Sequence, residues 1–440
     1  MGHELLAGRP LYSDLWDNKP PAFIAIYAAA IAIAGYGWTA LFFLNVVCGA
    51  LVLWAVYVAG CRNGESGAGL WAAFFWTLIS GALLLEGNLP NGELFMNVGL
   101  TAAFALVLRE ETDDRHWIAA GFLWGVATLC KQVAILPMAA ICIADARPHR
   151  VRRWGMAFGV LIGLWVLCFG YFAATHRAHD FFDAVIRQSV RYAHQTPAGR
   201  HPVGNLVHSL RLPIVADHEM PGALMPLAVL AVLCLCGLFF SFRNTPRAWR
   251  LWIGYAIGVH LAIAAPARYY SHYYQLWLPV LAIGGGWALA AMAHFSRRMS
   301  VAIGCCSALA LLPVAVRPFT LSPDDASRLV WGNRFVADRN AGLSIAKQVP
   351  ASSTIFEWGN APGIYYYSGR RPPTGVMSVA HLAEGPTYLS QRLLDDLQRH
   401  PPAVVVSTSG MLTIGRLLPV LKTILQRYPN VVVYDQAEPG

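Results

Sequence analysis

The chain has 440 residues, 56% of them hydrophobic and only 13% charged, with a mean hydropathy of +0.46. A soluble domain carries about 25% charged residues, so a chain at half that level cannot dress its own surface in water, and a membrane protein is the class that remains. The net charge of +9 rests on 33 basic residues, four of them lysines (Lys19, Lys131, Lys347 and Lys422). The arginines are dispersed between apolar runs, whereas a nucleic-acid surface needs a basic face interleaved with exposed aromatics, so no nucleic acid is expected as a partner.

The chain opens on a polar segment, MGHELLAGRPLYSDLWDNKPP, with no secretory signal peptide in view. Asp14, Asp17 and Lys19 form a compact charged knot there, and Pro20 and Pro21 stiffen the chain just after it. On position alone, an interfacial turn with its charges in water accounts for the knot as well as a functional site does. Residues 22–35 are apolar but short of the ~20 needed to span. Residues 1–37 are therefore expected to form an outer loop and an interfacial helix.

Longer apolar stretches run over 38–60, 67–86, 93–109, 154–175, 222–242, 249–266, 274–294 and 299–316. Between the second and third lies EGNLPNGELFMNVG, which supplies Glu86 and Glu93. Glu93 opens a helix, where the helix dipole favours a carboxylate without any further role. Converging with Asp14 and Asp17 at one mouth of the bundle, the same carboxylate would serve as general base or metal ligand. The stretch 117–145 is interrupted by Lys131, which predicts a tight helical hairpin. A lysine so placed either snorkels to the surface or meets an anion.

Arginine-rich loops occur at 62, 109–115, 147–153, 243–250 and 297–298. If all lie in the cytoplasm, the outer set is 1–37, 87–92, 176–221, 267–273 and everything after 317. That parity closes only if 22–35 does not cross and 117–145 goes in and comes back. The six histidines of 176–221 show no close paired ligand spacing. In ARYYSHYYQLWLP, Arg268, Tyr269, His272 and Tyr273 form either an aromatic belt or a face for a phosphate and a sugar. The nine cysteines lie in or beside apolar segments, so no structural disulfide is expected.

After Arg317 the pattern changes. Short β-rich runs, STIFEW (353–358), AVVVS (403–407) and NVVVY (430–434), alternate with helical patterns over 389–400 and 411–428. This predicts a small α/β domain over 317–440. The expected fold is mainly α: a polytopic membrane helical bundle over 38–316, with an outer loop at 176–221 and a C-terminal α/β domain outside the cytoplasm.

LLAGRPLYSDLWDNKPP, the helix opened by Glu93, CKQVAILP around Lys131, RYYSHYYQLWLP and FEWGNAPGIYYYSGRRPP (356–373) occur in an order and spacing that resemble glycosyltransferases of the C superfamily. The nearest branch is that of dolichyl-phosphate-mannose protein mannosyltransferases and the lipid A aminoarabinose and galacturonic acid transferases. The resemblance implies an inner-membrane enzyme of bacteria that moves a sugar, with inversion, from a polyprenyl-phosphate donor to a protein, lipid A or glycan acceptor. It implies Asp14, Asp17 and Glu93 as acidic catalytic positions, Lys19, Lys131 and Arg268 on the donor phosphate, and Tyr269, His272 and Tyr273 around the sugar or acceptor. In some members a divalent cation (Mg or Mn) is held at the position of Glu93. The family also begins with a helix ending in an acidic motif that this sequence lacks, which points to a start codon assigned too late or a shortened, non-catalytic member. A transporter or flippase for lipid-linked sugars is the alternative from another class. The lack of a repeat and the gathering of charges at one face favour an enzyme.

Overall fold

The computed structural model describes residues 1–63, 66–110, 113–148, 150–194, 201–211, 225–379, 382, 385–408, 417–428 and 431–434. Four of its helices are long and apolar enough to cross a membrane: Trp38–Cys61, Arg150–Ala174, Ser271–Ala293 (its first turns 3₁₀) and Arg297–Thr320. Shorter apolar helices pack among them, including Ser66–Ile79, Gly92–Val107 and Ala228–Ser241. The chain is a mainly helical membrane protein with a small C-terminal α/β portion.

Local chemistry sets the helix ends. The Asn91 side chain accepts a hydrogen bond from the Leu94 amide at 3.1 Å and opens Gly92–Val107. Asp113 does the same for His116 at the start of Asp114–Cys130. Small residues then let the helices approach closely. A Cβ built on Gly258 would collide with the Pro137 backbone, and one on Gly121 would lie 2.5 Å from the Ala157 carbonyl oxygen.

Two opposite faces of the bundle can be traced through contacts. At one, Arg152 pairs with Asp114, and Arg147 donates to the Arg109 carbonyl at 3.4 Å. Arg247 donates to the carbonyls of Leu108 (2.9 Å) and Val107 (2.6 Å), and Trp287 donates to Gly60 (2.9 Å). The arginine-bearing loops are thus neighbours in space. At the other face, Gln275 donates to the Leu85 carbonyl (2.5 Å), Asn97 donates to the Gln275 carbonyl (3.0 Å), and the Tyr27 hydroxyl donates to the Pro90 carbonyl.

The segment around Lys131 runs from the arginine face and returns to it, but not as a tight hairpin. Asp114–Cys130 packs on Gly92–Val107 and Arg150–Ala174, while Ile135–Ala144 packs on Pro246–Ala264, and the two arms barely touch. Lys131 itself is extended (φ −157°, ψ 121°). The arms diverge because Gly254 and Gly258 offer the second arm a closer seat than the first arm does. Helix Pro21–Ala34 has both ends at the other face. Phe23 packs near Gly92 at its start, and Tyr36 and Trp38 just beyond its end meet Tyr366 edge to face at ring distances of 5.3 and 5.8 Å.

The C-terminal portion holds three parallel strands, β1 (Ile355–Trp358), β2 (Val404–Thr408) and β3 (Val431–Tyr434), in the order β1-β2-β3. Ile355 and Val406 face one side, against Ala341, Ile345 and Ile364. Phe356, Trp358 and Val405 face the other, against Leu389, Leu393 and Leu397. That second core is completed by Leu11, Tyr12, Leu15 and Trp16 from the start of the chain and by Phe172, Phe181 and Val185. The N-terminal segment is thus a packed part of the C-terminal portion rather than a free loop. The Trp16 amide donates to the Gly375 carbonyl at 3.3 Å, and a Cβ on Gly375 would overlap the Asp14 carbonyl. All nine cysteines are free thiols.

A buried carboxylate ties this contact. Glu4 is 5% exposed and accepts from Arg371 (2.7 and 3.2 Å), Arg9 (3.2 Å) and His3 (3.2 Å). Burial works against its ionisation, but the hydrogen bonds from Arg371 and Arg9, the Arg371 charge and the His3 contact outweigh it and hold the carboxyl below its usual range. A depressed carboxyl contributes stability that is present above the unfolded value, ~4.3, and is lost as pH falls through the folded value. Acidification below about pH 4 is therefore expected to loosen the segment around Trp16, read as a shift in tryptophan emission that Glu4→Gln reduces.

Candidate functional site

The face opposite the arginine loops gathers most of the sequence-predicted residues. Lys131, freed from helical geometry at the break, places its ammonium on the Glu93 carboxylate and 3.8 Å from the centroid of the Tyr273 ring. Glu93 sits in the first turn of Gly92–Val107 and is 2% exposed, while the Lys131 side chain keeps 24% exposure. Tyr273 is hydrogen-bonded to Tyr192, and the Arg268 guanidinium lies 4.1 Å over the Tyr192 ring. His272 stacks edge-on to Tyr273 at 4.9 Å and holds Glu86 through Nδ1 at 3.1 Å. Glu93, Lys131, Tyr273, His272 and Arg268 thus form one contiguous set, joined by Glu86 and Tyr192.

Two of these links are not legible in the sequence as site partners. Glu86 is there only a second carboxylate of its loop, and its left-handed backbone (φ 57°) aims it at His272. Tyr192 comes from the helix Gln188–His194 and carries no signal in the sequence. A third, Gln132, donates to the Val185 carbonyl (2.8 Å) and Ser189 (3.1 Å) and anchors that segment beside Lys131.

Tyr269 departs from this set. Its hydroxyl donates to Asn205, and its ring meets His208 at 4.9 Å, so it fastens the helix Pro202–Arg211. Asp17 and Lys19 stand beside the set across an aromatic spacer. The Asp17 carboxylate is 6% exposed and accepts from the Lys19 amide (3.0 Å) and ammonium (3.5 Å). Lys19 lies 5.3 Å from the Phe23 ring, which packs at 5.9 Å on Phe95.

Asp14 lies elsewhere. Both of its oxygens accept from Arg9, at 2.7 and 2.9 Å, and Arg392 approaches at 3.7 Å. Arg392 also donates to the carbonyls of Tyr12 and Asp14. Asp14 thus faces the helix Tyr388–Arg399 and not Glu93, although it is only three residues from Asp17.

A cation at Glu93 does not suit the donor set. Its carboxylate is taken by an ammonium, and among the described residues no group of three His, Cys, Asp or Glu side chains is placed to hold a metal ion. Beside the set, a cavity of about 740 Å³ opens between the bundle and the C-terminal helices, lined by Trp38, Leu83, Pro90, Trp331, Tyr366 and Tyr367. Tyr365, by contrast, is core, its oxygen accepting from the Glu357 amide at 2.8 Å. Among the described residues, all five non-glycine positions with positive φ (Tyr12, Glu86, His176, Ala267 and Tyr269) lie on or beside this face. Such backbone strain concentrates where side chains must be held in set directions.

Comparison with known proteins agrees with this architecture. Residues 18–172 match the family described as dolichyl-phosphate-mannose-protein mannosyltransferase. No curated protein matches the chain by sequence. Among solved structures, ArnT from Cupriavidus metallidurans in the apo state is similar at a TM-score of 0.62 and 14% identity, over 93% of this chain and 85% of that one. The same enzyme bound to undecaprenyl phosphate is similar at 0.56 and 15% identity, over 99% and 83%. An oligosaccharyltransferase from Archaeoglobus fulgidus, tethered to an acceptor peptide, is similar at 0.55 and 14% identity, over 95% of this chain and 62% of that one. The resemblance to the C superfamily of membrane glycosyltransferases is thus carried by the family match over residues 18–172 and by a fold shared across nearly the whole chain.

Proposed function

We propose that the protein transfers a sugar from a polyprenyl-phosphate carrier to an acceptor hydroxyl, with inversion at the anomeric carbon, at the outer face of a bacterial inner membrane. The observation that carries this reading is Lys131. It is a lysine at a helix break among apolar segments, 24% exposed, with Arg268 linked to it through two tyrosines. Two cations so placed suit a lipid phosphate whose isoprenoid tail lies against the bundle. The ArnT crystal structure bound to undecaprenyl phosphate supports a carrier of that class.

In the step proposed, a carboxylate takes the acceptor proton, the acceptor oxygen bonds to the anomeric carbon, and the carbon–oxygen bond to phosphate breaks with its electron pair on the phosphate. Lys131 and Arg268 stabilise that developing charge. Of the three carboxylates singled out, Asp17 is assigned as the base. Asp14 faces the helix Tyr388–Arg399 and Glu93 is buried on Lys131, whereas Asp17 stands with Lys19 at the edge of the set. Lys19 is assigned to the phosphate and Tyr273 to the sugar, with His272 oriented by Glu86 and Tyr269 supporting the wall behind them. The acceptor, whether protein, lipid A or glycan, approaches from the C-terminal portion.

Purified protein in proteoliposomes with radiolabelled polyprenyl-phosphate sugar and a mixture of envelope acceptors tests the reading. Asp17→Asn should lower transfer at least ~100-fold, the scale of general-base catalysis, with donor binding unchanged. Carrier that crosses the bilayer without any transfer would make the protein a transporter instead.

A further inference from the structure

Lys131 sits at a helix break, and Arg268 in the segment after Pro246–Ala264. Both side chains are long, and a ligand that must first order them loses affinity. The structure orders them in advance by seating each on an aromatic ring. The Lys131 ammonium lies 3.8 Å from the centroid of the Tyr273 ring, and the Arg268 guanidinium 4.1 Å from that of Tyr192. The two tyrosines are hydrogen-bonded to each other. A pair of joined rings therefore sets the spacing of the two cations.

Tyr273 belongs to the core of the bundle and is held there by its own packing. Tyr192 is only half-buried, and it comes from the seven-residue helix Gln188–His194, too short to hold its own place. Contacts from elsewhere fix that helix. Gln132, the residue after Lys131, donates through Nε2 to the Val185 carbonyl at 2.8 Å and to Ser189 Oγ at 3.1 Å. Ser189 Oγ donates to the same carbonyl at 2.7 Å, three residues before Tyr192. Val185 lies in the π-helical turn Phe182–Arg187, a rare geometry that gathers at functional sites. In that turn the buried Asp183 accepts from Arg187 at 2.9 Å and from Tyr388 of the C-terminal portion at 3.2 Å. A closed path thus runs from Lys131 through Gln132, Ser189, Tyr192 and Tyr273 back to Lys131.

We propose that Tyr192 is a positioning residue for the donor phosphate: its ring holds the Arg268 guanidinium at a set place relative to Lys131, and Gln132 holds the ring. This rests on the reading of Arg268 as a phosphate ligand. Tyr192 acts through Arg268, in the way that a supporting side chain keeps a binding group within a fraction of an ångström of its working place.

The test is titration of the detergent-solubilised full chain with undecaprenyl phosphate and, separately, with undecaprenol, which has the same tail and no phosphate. Arg268→Ala and Tyr192→Leu should each lower affinity for undecaprenyl phosphate about fivefold, the scale of one cation–π contact. Tyr192→Phe keeps the ring and should recover most of the loss. Undecaprenol should bind the parent and every variant alike. The double variant decides between positioning and bulk structure. If Tyr192 acts through Arg268, Tyr192→Leu adds no further loss once Arg268 is alanine, whereas a general structural role costs the same in either background. Gln132→Leu, which leaves the Tyr192 side chain intact, should give the same non-additive result. Additive losses, or undecaprenol affinity falling in step, overturn the proposal. An effect of Arg268→Ala with none from Tyr192→Leu also overturns it and leaves the proposed function standing. Unchanged binding in Arg268→Ala removes the phosphate role of Arg268, and the role of Tyr192 falls with it.

Discussion

Replacing Lys131 by methionine is expected to destabilise the bundle by about 3–5 kcal/mol, the cost of removing one partner of a buried ion pair. Glu93 is 2% exposed, and Lys131 is the cation that neutralises its carboxylate. Methionine keeps the apolar stem of lysine and deletes the ammonium group. The double variant Lys131→Met with Glu93→Gln removes both charges, and stability should then return to within about 1–2 kcal/mol of the parent. Donor affinity should behave differently. If Lys131 receives the lipid phosphate, the loss of affinity, about tenfold or more, persists in the double variant. Thermal unfolding in detergent reads the first effect and donor titration reads the second. Donor binding rescued along with stability would reduce Lys131 to a structural partner of Glu93.

Arg9→Ala is expected to release the N-terminal segment from the C-terminal portion at a cost of about 3 kcal/mol. Arg9 bonds both oxygens of Asp14, where the more distant Arg392 is a poor substitute, and reaches Glu4 and the Pro372 carbonyl as well. The hydrogen bond that Arg9 donates to Asp14 is the largest influence on it and, with the charge of Asp14 and the contact with Glu4, raises its pKa above the usual value against the opposing desolvation. Hydrogen exchange should accelerate over residues 10–17 and 372–376, which meet through the Trp16–Gly375 bond, and not in the helices around Lys131. Because Asp17 is only three residues beyond Asp14, transfer should fall while donor binding persists. Uniformly faster exchange across the bundle would show that Arg9 matters to the whole fold rather than to this joint.

The membrane class, the helical bundle and the α/β alternation at the C-terminal end are all legible in the amino-acid sequence. They arise from composition and periodicity, which act locally and need no partner. Lys131 stands out on the same ground, because a lysine is costly among apolar neighbours wherever it lies. The grouping of arginines is equally visible, from loop charge alone.

Which charges meet is not visible there. Asp14 and Asp17 are equal in type and close in the chain, yet Arg9 draws one towards the C-terminal helix Tyr388–Arg399 while the other stays with Lys19. The two arms at Lys131 look like a hairpin until Gly254 and Gly258 offer one of them a closer seat. Tyr192 and Glu86 enter the site through a segment far away in the chain and a backbone bend. Each of these outcomes depends on partners brought together over long sequence separations, and local pattern carries no record of such partners. Packing in three dimensions settles them, because a buried charge takes the counter-charge that the fold presents rather than the one nearest in sequence.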